Sequence, residues 1–130
     1  MDIEVSEIMS RKIEIDPNET VLDAVEKMIS RRIRSVLVKP ESEEDEYGVV
    51  TMRDVVFKCL AKNLDLKSVK VREIATKPLI TVEKNTKLSE VIKKLEENNI
   101  ERIFVRDGKK IVGVVSLIDI LTYFLTRKNL

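Results

Sequence analysis

The sequence predicts a mixed α/β fold made of two copies of one unit, each ordered strand–helix–strand–strand–helix. When the 130-residue chain is slid along itself by about 66 residues, Val5-Ser6-Glu7-Ile8 matches Val71-Arg72-Glu73-Ile74, and the match runs almost from end to end. The phrase Gly48-Val49-Val50-Thr51-x-x-Asp54 returns as Gly113-Val114-Val115-Ser116-x-x-Asp119. Because each half is too small to bury its own apolar face, we expect the halves to pack together about a pseudo-twofold axis as one compact module.

In each half, a strand and a helix come first. The β-branched stretches Ile13 to Ile15 and Leu79 to Val82 favour strands, and a polar turn follows each of them. Apolar residues then recur at the spacing of an amphipathic helix, which predicts one apolar face: Val21, Val25, Met28 and Ile29 in the first half, and Leu88, Val91, Ile92 and Leu95 in the second.

Two strands and a closing helix complete each half. Asp107-Gly108 is a strong hairpin signal, whereas the acidic loop Pro40 to Glu46 is expected to be exposed and mobile. We expect strands at Ser35 to Val38, Gly48 to Thr51, Arg102 to Val105 and Val112 to Ser116, and helices at Asp54 to about Ala61 and Asp119 to about Thr126. The predicted repeats are residues 1–62 and 71–130, with a linker at residues 63–70.

The composition argues against several classes of function. Lys and Arg number 24 and Asp and Glu number 23, so the net charge of +1 gives no electrostatic reason to expect nucleic acid or a membrane as partner. No apolar run approaches the roughly 20 residues of a membrane span, and Met1 to Ser10 lacks the features of a signal peptide. The single cysteine, Cys59, excludes an internal disulfide and a thiolate zinc site, so we expect a cytoplasmic protein without a metal. The chain has no histidine, the commonest general base, which argues against an enzyme.

The repeated phrase has two compatible interpretations. A hydroxyl residue followed three positions later by an acid is the capping-box signature of a helix start. Alternatively, a helix that opens after a glycine-led strand offers free N–H groups and the positive end of its dipole to a phosphate. The hydroxyls of Thr51 and Ser116 can then also donate to phosphate, and the carboxylates of Asp54 and Asp119 can accept both hydroxyls of a ribose.

Two copies of this phrase, within this order of strands and helices, resemble the cystathionine-β-synthase (CBS) domain, which occurs in tandem as the Bateman module. The resemblance covers about Val5 to about Leu125 and includes the lead-in Glu7-Ile8-Met9-Ser10. The tract from Ile111 to Leu121 is similar to one in the regulatory gamma subunit of AMP-activated protein kinase. The resemblance implies a regulatory module with two clefts between the paired repeats, which take AMP, ADP, ATP or S-adenosylmethionine.

The resemblance also implies roles for individual residues. Asp54 and Asp119 would each hold a ribose, and Thr51 and Ser116 would face phosphate. Arg102 stands where the kinase subunit places a phosphate-binding arginine. Ser35 has the matching place in the first half, where Arg34 or Arg53 would substitute for the arginine. Four residues would lie beside the adenine: Lys12, Ile13, Leu79 and Ile80. The remaining lining positions would be Ile33, Ile100 and Glu101 at the strand starts, Val49 and Val114 in the repeated phrase, and Ile118 before the second aspartate.

These implications lead to one expectation and two alternatives. We expect a non-enzymatic protein that binds an adenine nucleotide as a regulatory ligand, forms a homodimer through exposed apolar helix faces and acts on a separate target protein. Glu101, an acid beside the implied phosphate region, disfavours extra negative charge or favours a cationic ligand, so the two sites are not equivalent. The alternatives are a dimerisation module whose sites bind nothing and a sensor of S-adenosylmethionine.

Overall fold

Two three-stranded sheets and four α-helices form the protein in a computed structural model that describes residues 2–128. The α/β class and the two-repeat organisation predicted from the sequence are confirmed. Residues 1, 129 and 130 of the predicted repeats lie outside the described residues. Within the described part of the chain, no helix has both the length and the apolar character needed to cross a membrane.

The first sheet has a parallel and an antiparallel strand pair. Its central strand β2 is parallel to β1 and antiparallel to β3. The elements in chain order are β1 (Glu14–Ile15), α1 (Val21–Arg31), β2 (Ser35–Val38), β3 (Gly48–Thr51) and α2 (Met52–Asp54), which continues as a π-helical turn (Val55–Cys59) and a 3-10 turn (Leu60–Lys62).

The second sheet repeats this topology. Its central strand β5 is parallel to β4 and antiparallel to β6, and Gly108 takes a φ of 61° in the hairpin turn that the sequence predicts. The elements are β4 (Thr81–Glu83), α3 (Leu88–Glu97), β5 (Arg102–Asp107), β6 (Lys110–Ser116) and α4 (Leu117–Lys128). Short 3-10 helices at Val5–Glu7 and Val71–Glu73 precede the two halves.

The closing helices begin two residues earlier than predicted. α2 starts at Met52 and α4 at Leu117, whereas the sequence suggested starts at the two aspartates. The reason is local: Thr51 accepts a hydrogen bond from the third helical N–H and is therefore the N-cap. Each aspartate is thus the third residue of its helix and not the first.

Ile29 corrects the predicted apolar face of α1. Its side chain is 69% exposed, whereas Val21, Ala24 and Met28 are buried. In a helix of 3.6 residues per turn, Ile29 lies about 80° around the axis from Val21, on the side away from Ala24 and Met28. The buried stripe is therefore narrower than the four apolar positions predicted.

The acidic loop Pro40 to Glu46 is largely exposed, as predicted, and ion pairs hold it. The Lys77 ammonium lies 2.7 Å from Asp45, and the Arg72 guanidinium lies 3.8 Å from Glu41. The hydrogen bond from Lys77 lowers the pKa of Asp45 from 3.8 to about 2. Both cations belong to the segment that leads into the second repeat.

The chain forms two compact units, and the boundaries of these units differ from the boundaries of the sequence repeats. The first unit is residues 13–79, and the second joins residues 2–12 to residues 80–128. We call residues 2–12 the first lead-in and residues 66–79 the second lead-in. Each lead-in therefore belongs to the unit that contains the sheet of the other repeat.

In the first unit, the second lead-in covers α1 and β3. The N–H of Val21 donates to Val69 at 2.8 Å, and Val49 and Thr76 exchange backbone hydrogen bonds of 3.1 and 2.9 Å. Val71 is fully buried in the core with Val50. Part of the segment predicted as a linker thus packs onto the first unit.

The second unit shows the matching contacts with the first lead-in. The N–H of Leu88 donates to Ile3 at 2.9 Å, and Ser10 and Val114 exchange backbone hydrogen bonds of 2.7 and 3.1 Å. Val5 is fully buried in this unit's core. Complete burial of a valine contributes about 1.5–3 kcal/mol, so each lead-in is an integral part of its unit.

These lead-ins explain the glycine that opens each repeated phrase. A Cβ at Gly113 would lie 2.5 Å from the Met9 sulfur and 3.1 Å from the Ser10 carbonyl oxygen. A Cβ at Gly48 would lie 3.1 Å from the Cβ of Ala75. At each glycine a Cβ would also come within 3.1 or 3.3 Å of a lead-in carbonyl oxygen, so a larger residue would require the lead-in to shift.

Candidate functional site

The helix start in the first unit is a capping box. The hydroxyl oxygen of Thr51 accepts from the Asp54 N–H at 3.1 Å, and the Thr51 N–H donates to Asp54 Oδ2 at 2.8 Å. This reciprocal pair satisfies two backbone donors that would otherwise be unpaired at the helix start. The capping interpretation of the sequence is therefore correct here.

The helix start in the second unit has the same arrangement. The Ser116 N–H donates to Asp119 Oδ2 at 2.9 Å, and the Ser116 hydroxyl donates to the same oxygen at 3.0 Å. The Asp119 N–H lies 3.4 Å from the Ser116 hydroxyl, which is a longer contact than its counterpart in the first unit.

A third capping box opens α1, and the sequence analysis missed it. The Thr20 N–H donates to Asp23 Oδ2 at 3.0 Å, and the Asp23 N–H donates to the Thr20 hydroxyl at 3.1 Å. The signal was present, because Thr20-x-x-Asp23 has the same spacing ahead of an apolar stripe. A capping box alone is consequently no mark of a ligand site.

The capped helix starts offer a phosphate fewer donors than expected. The Met52 N–H donates to the Arg34 carbonyl at 3.1 Å, and the Leu117 N–H donates to the Glu101 carbonyl at 3.1 Å. With the N–H of each aspartate turned to its cap, two of the first three helical N–H groups are already engaged. A phosphate here would depend on side chains more than on the backbone.

Asp54 has a cationic partner on its second oxygen. The Lys58 ammonium lies 3.1 Å from Asp54 Oδ1 and also donates to the Ile74 carbonyl at 2.9 Å. The Asp54 side chain is only 13% exposed, whereas Lys58 is 43% exposed. Lys58 therefore offsets the charge of a nearly buried carboxylate and ties it to the second lead-in.

Asp119 has a neutral partner in the same place. The Ser10 hydroxyl donates to Asp119 Oδ1 at 2.6 Å, a short distance typical of a charge-assisted hydrogen bond. Neither Lys58 nor Ser10 was among the predicted site residues. The signals were the Asp54–Lys58 spacing of one helical turn and the hydroxyl residues Ser10 and Thr76 that recur at an offset of 66.

The residues at the strand starts lie beside these helix starts. Ser35 pairs with Thr51 in the first sheet, and Arg102 pairs with Ser116 in the second. Directly opposite residues in an antiparallel pair have Cβ atoms about 5 Å apart, so Arg102 is a neighbour of the Ser116 hydroxyl. The sequence difference between Ser35 and Arg102 thus falls at the two helix starts.

The other predicted residues divide between core and surface. Arg53 stacks over the Phe57 ring with its guanidinium carbon 4.9 Å from the centroid, and Ile118 is 70% exposed. Ile13, Ile33 and Ile100 are partly buried and pack against the two cores, and Val49 and Val114 are partly exposed where the lead-ins cross their strands. Arg34 and Glu101 are exposed. The boundary between the two units falls between Lys12 and Ile13 and again between Leu79 and Ile80.

Two further groups bear on chemistry. Burial raises the pKa of the Cys59 thiol, which fits a packing role in the first core. Among residues 2–128, no three acidic or cysteine side chains cluster closely enough to hold a metal ion.

Comparison with known proteins gives a family match over both halves. The family model described as "CBS domain" matches residues 5–60 and again residues 71–126. An uncharacterised protein of Methanopyrus kandleri is 32% identical over 121 residues, which are 92% of this chain and 61% of that protein. The chain thus spans less than two thirds of that relative's length.

Solved structures show the same fold. A hexameric CBS-CP12 protein from bloom-forming cyanobacteria matches with a TM-score of 0.84 and 35% identity, over 93% of this chain and 67% of that one. A CBS domain protein of Pyrobaculum aerophilum, complexed with AMP, matches with a TM-score of 0.80 and 23% identity, over 95% of this chain and 99% of that one.

Proposed function

Because this chain belongs to the CBS domain family and carries two copies in tandem, we propose that it is a regulatory protein that binds an adenine nucleotide. CBS-pair proteins are generally regulatory, ligand-binding modules. The proposed ligands are AMP, ADP or ATP, and occupancy is signalled to a partner protein in trans.

One observation carries the proposal: two capped carboxylates stand at matched helix starts with their orientation fixed. An ionised carboxylate has about four acceptor positions. Asp54 uses one for the Thr51 N–H and one for Lys58, which leaves about two for the paired hydroxyls of a ribose. Neither existing bond needs to break when a ribose binds.

Asp119 can offer two acceptor positions to a ribose once the Ser116 hydroxyl has rotated away from it. Three of its acceptor positions are taken, two by Ser116 and one by Ser10. If the Ser116 hydroxyl turns to donate to a ligand phosphate, as the sequence suggests, Oδ2 regains a position for ribose. Both oxygens then accept one ribose hydroxyl each.

Phosphate recognition in the second unit rests on Arg102. Its place opposite Ser116 in the sheet supports this role, because a guanidinium on that strand start is within reach of a phosphate at the Ser116 hydroxyl. In the first unit Ser35 has that place, and Arg34 or Arg53 would supply the positive charge. The proposal therefore includes two sites of unequal affinity.

A calorimetric titration and thermal-shift series tests this function. The ligands are AMP, ADP, ATP, NAD and S-adenosylmethionine, and the AMP complex of the Pyrobaculum aerophilum protein makes AMP the first choice. A ligand at 100 times its dissociation constant stabilises by about 2.7 kcal/mol. Absence of any shift with all five compounds would overturn the proposal, and a response to S-adenosylmethionine alone would favour the alternative sensor.

A structural role in self-association is the second candidate, supported by exposed apolar side chains on the closing helices. Phe57 is 55% exposed, and Leu121 and Leu125 on α4 are 67% and 66% exposed. Exposed apolar side chains of this kind are suited to a twofold homodimer contact. Sedimentation at micromolar concentration checks it: a 15.0 kDa monomer would contradict self-association, and a dimer that binds no nucleotide would favour this role over nucleotide sensing.

A further inference from the structure

The hydroxyl that contacts Asp119 comes from the first lead-in and is held in place by the backbone. Ser10 exchanges two backbone hydrogen bonds with Val114, at 2.7 and 3.1 Å. That bridge fixes the Cα of Ser10 against β6, and its hydroxyl then donates to Asp119 Oδ1 at 2.6 Å. The hydroxyl is therefore placed by the strand contact and not by the helix that carries the aspartate.

This bond completes the orientation of the carboxylate. The helix cap holds only Oδ2 of Asp119, through the Ser116 N–H and hydroxyl. Both oxygens move together when the carboxylate rotates about its Cβ–Cγ bond, so a hydrogen bond to Oδ1 restricts that rotation further than the cap alone. Ser10 holds the other oxygen, as Lys58 does for Asp54 in the first unit.

We propose that Ser10 is a positioning residue for the ligand site at Asp119, and this role rests on the proposed nucleotide function. Once the Ser116 hydroxyl has turned to the phosphate, Ser10 keeps Asp119 oriented so that each oxygen presents one acceptor position to a ribose hydroxyl. Being neutral, it does so without offsetting the carboxylate charge. The second site thus depends on a residue more than a hundred positions away in the sequence, within the lead-in of the first repeat.

Calorimetry with AMP and 2′-deoxy-AMP on the full chain tests the role of Ser10. Ser10→Ala should weaken AMP at one class of site by about three- to tenfold, the scale of one lost hydrogen bond. The 2′-deoxy compound should lose less, because it already lacks one of the two hydroxyls that Asp119 would hold. Ser10→Thr should restore AMP binding, since Thr76 occupies the matching bridge in the first unit.

Ser89→Ala is the matched control. The Ser89 hydroxyl donates to Asp2 at 2.8 Å, so this variant also removes a hydroxyl contact with the first lead-in, but at Asp2 and not at Ser10, the residue that contacts Asp119. Its AMP affinity should equal that of the wild type. A loss as large as that of Ser10→Ala would show that any loosening of the lead-in suffices, and would overturn the specific role of Ser10.

Other outcomes separate this role from the function beneath it. Unchanged AMP affinity in Ser10→Ala, or equal losses for AMP and 2′-deoxy-AMP, would overturn the positioning role while leaving nucleotide binding intact. If the wild type binds none of AMP, ADP, ATP, NAD and S-adenosylmethionine, both proposals are overturned together; if it binds ADP or ATP but not AMP, the same variants are compared with that nucleotide and its 2′-deoxy form.

Discussion

Asp54 and Asp119 stand at the same step of the same repeated phrase, and the backbone around them is alike. In both, a preceding N–H group donates to Oδ2 at 2.8–2.9 Å. The difference lies at Oδ1, which meets the Lys58 ammonium in the first unit and the Ser10 hydroxyl in the second. A duplicated sequence has thus kept the geometry of its helix starts and changed their charge.

The helix cap and the charge available to a ligand are therefore separable. The cap needs only a hydroxyl and an acid three residues apart, as Thr20 and Asp23 also show. The partner of Oδ1 decides how much negative charge the site keeps. On the proposed function, an anionic ligand would meet a partly offset carboxylate at Asp54 and a full one at Asp119, and the second site would therefore depend more on Arg102.

The largest expected effect comes from removing the carboxylates. Asp54→Ala and Asp119→Ala should each weaken nucleotide at one site by about 1.5–3 kcal/mol, the scale of hydrogen bonds to a charged group. Both should also lose about 0.5–2 kcal/mol of folding stability with their caps. Calorimetric titration and urea unfolding measure the two quantities.

Asp23→Ala is the control for this pair, because it breaks a capping box outside both candidate sites. It should lose stability to a similar extent and bind nucleotide as the wild type does. If all three variants lose stability and all three bind normally, the aspartates only cap helices and the ribose assignment is wrong.

Alanine substitutions at the two glycines that open the repeated phrase should lower the free energy of unfolding by different amounts. Gly113→Ala puts a Cβ 2.5 Å from the Met9 sulfur and 3.1 Å from the Ser10 carbonyl oxygen, so we expect a loss of about 1–3 kcal/mol. The nearest contact of Gly48→Ala is 3.1 Å, and its loss should be smaller. Denaturant unfolding of the two variants checks the order; a larger loss at Gly48 would show that the first lead-in yields more easily than the second.

The next effect concerns phosphate. Arg102→Ala should weaken AMP about tenfold, or about 1.4 kcal/mol, while adenosine, which lacks the phosphate, changes little. Only one class of site should respond in the titration, because the first unit has Ser35 in the matching place. Equal losses for AMP and adenosine would mean that Arg102 shapes the site and does not contact phosphate.

The smallest expected effect is a difference between the two lead-ins in how acid changes their hydrogen exchange. The pKa of Asp45 is lowered from 3.8 to about 2 by Lys77, so the ion pair contributes fully above pH 3.8 and is lost as pH falls through about 2. Acid should therefore loosen the second lead-in first. Hydrogen exchange, corrected for its intrinsic rate, should accelerate at the Thr76 N–H more than at the Ser10 N–H.

Asp45→Asn provides the control for this difference. It removes the charge at every pH, so its Thr76 exchange should already be fast at pH 5 and change little on acidification. Equal acceleration at Thr76 and Ser10 in the wild type would show that acid opens both lead-ins together, independently of Asp45.

Local patterns in the sequence predicted the local structure well. β2 and β3 have the predicted ends, because each contains a short run of apolar, mainly β-branched residues and the acidic loop separates them. The predicted starts of α2 and α4 lie two residues too late, because the spacing of a hydroxyl residue and an acid does not show whether the acid is the first or the third residue of the helix. The π-helical turn Val55–Cys59 has no signal that we identified in the sequence.

The exchange of lead-ins could not be predicted from the repeat. Because Val5 and Val71 head equivalent segments, either lead-in suits either sheet as far as the pattern shows. The contacts of Ser10 with Asp119 and of Lys58 with Ile74 follow from that exchange. The unit that a lead-in joins depends on the geometry of the folded chain. A repeat alignment compares only features that the two copies share, so it cannot show which unit that is.

The exchange also sets an order in which the chain becomes complete during synthesis. All parts of the first unit, residues 13–79, exist once residue 79 has been made. The first lead-in leaves the ribosome before them, but its sheet is encoded after the 67 residues of that unit (positions 13 to 79). Contacts between such distant segments require a long loop to close and form late. A nascent chain that has reached residue 79 therefore holds every segment of the first unit and an N-terminal segment whose partner has yet to be translated.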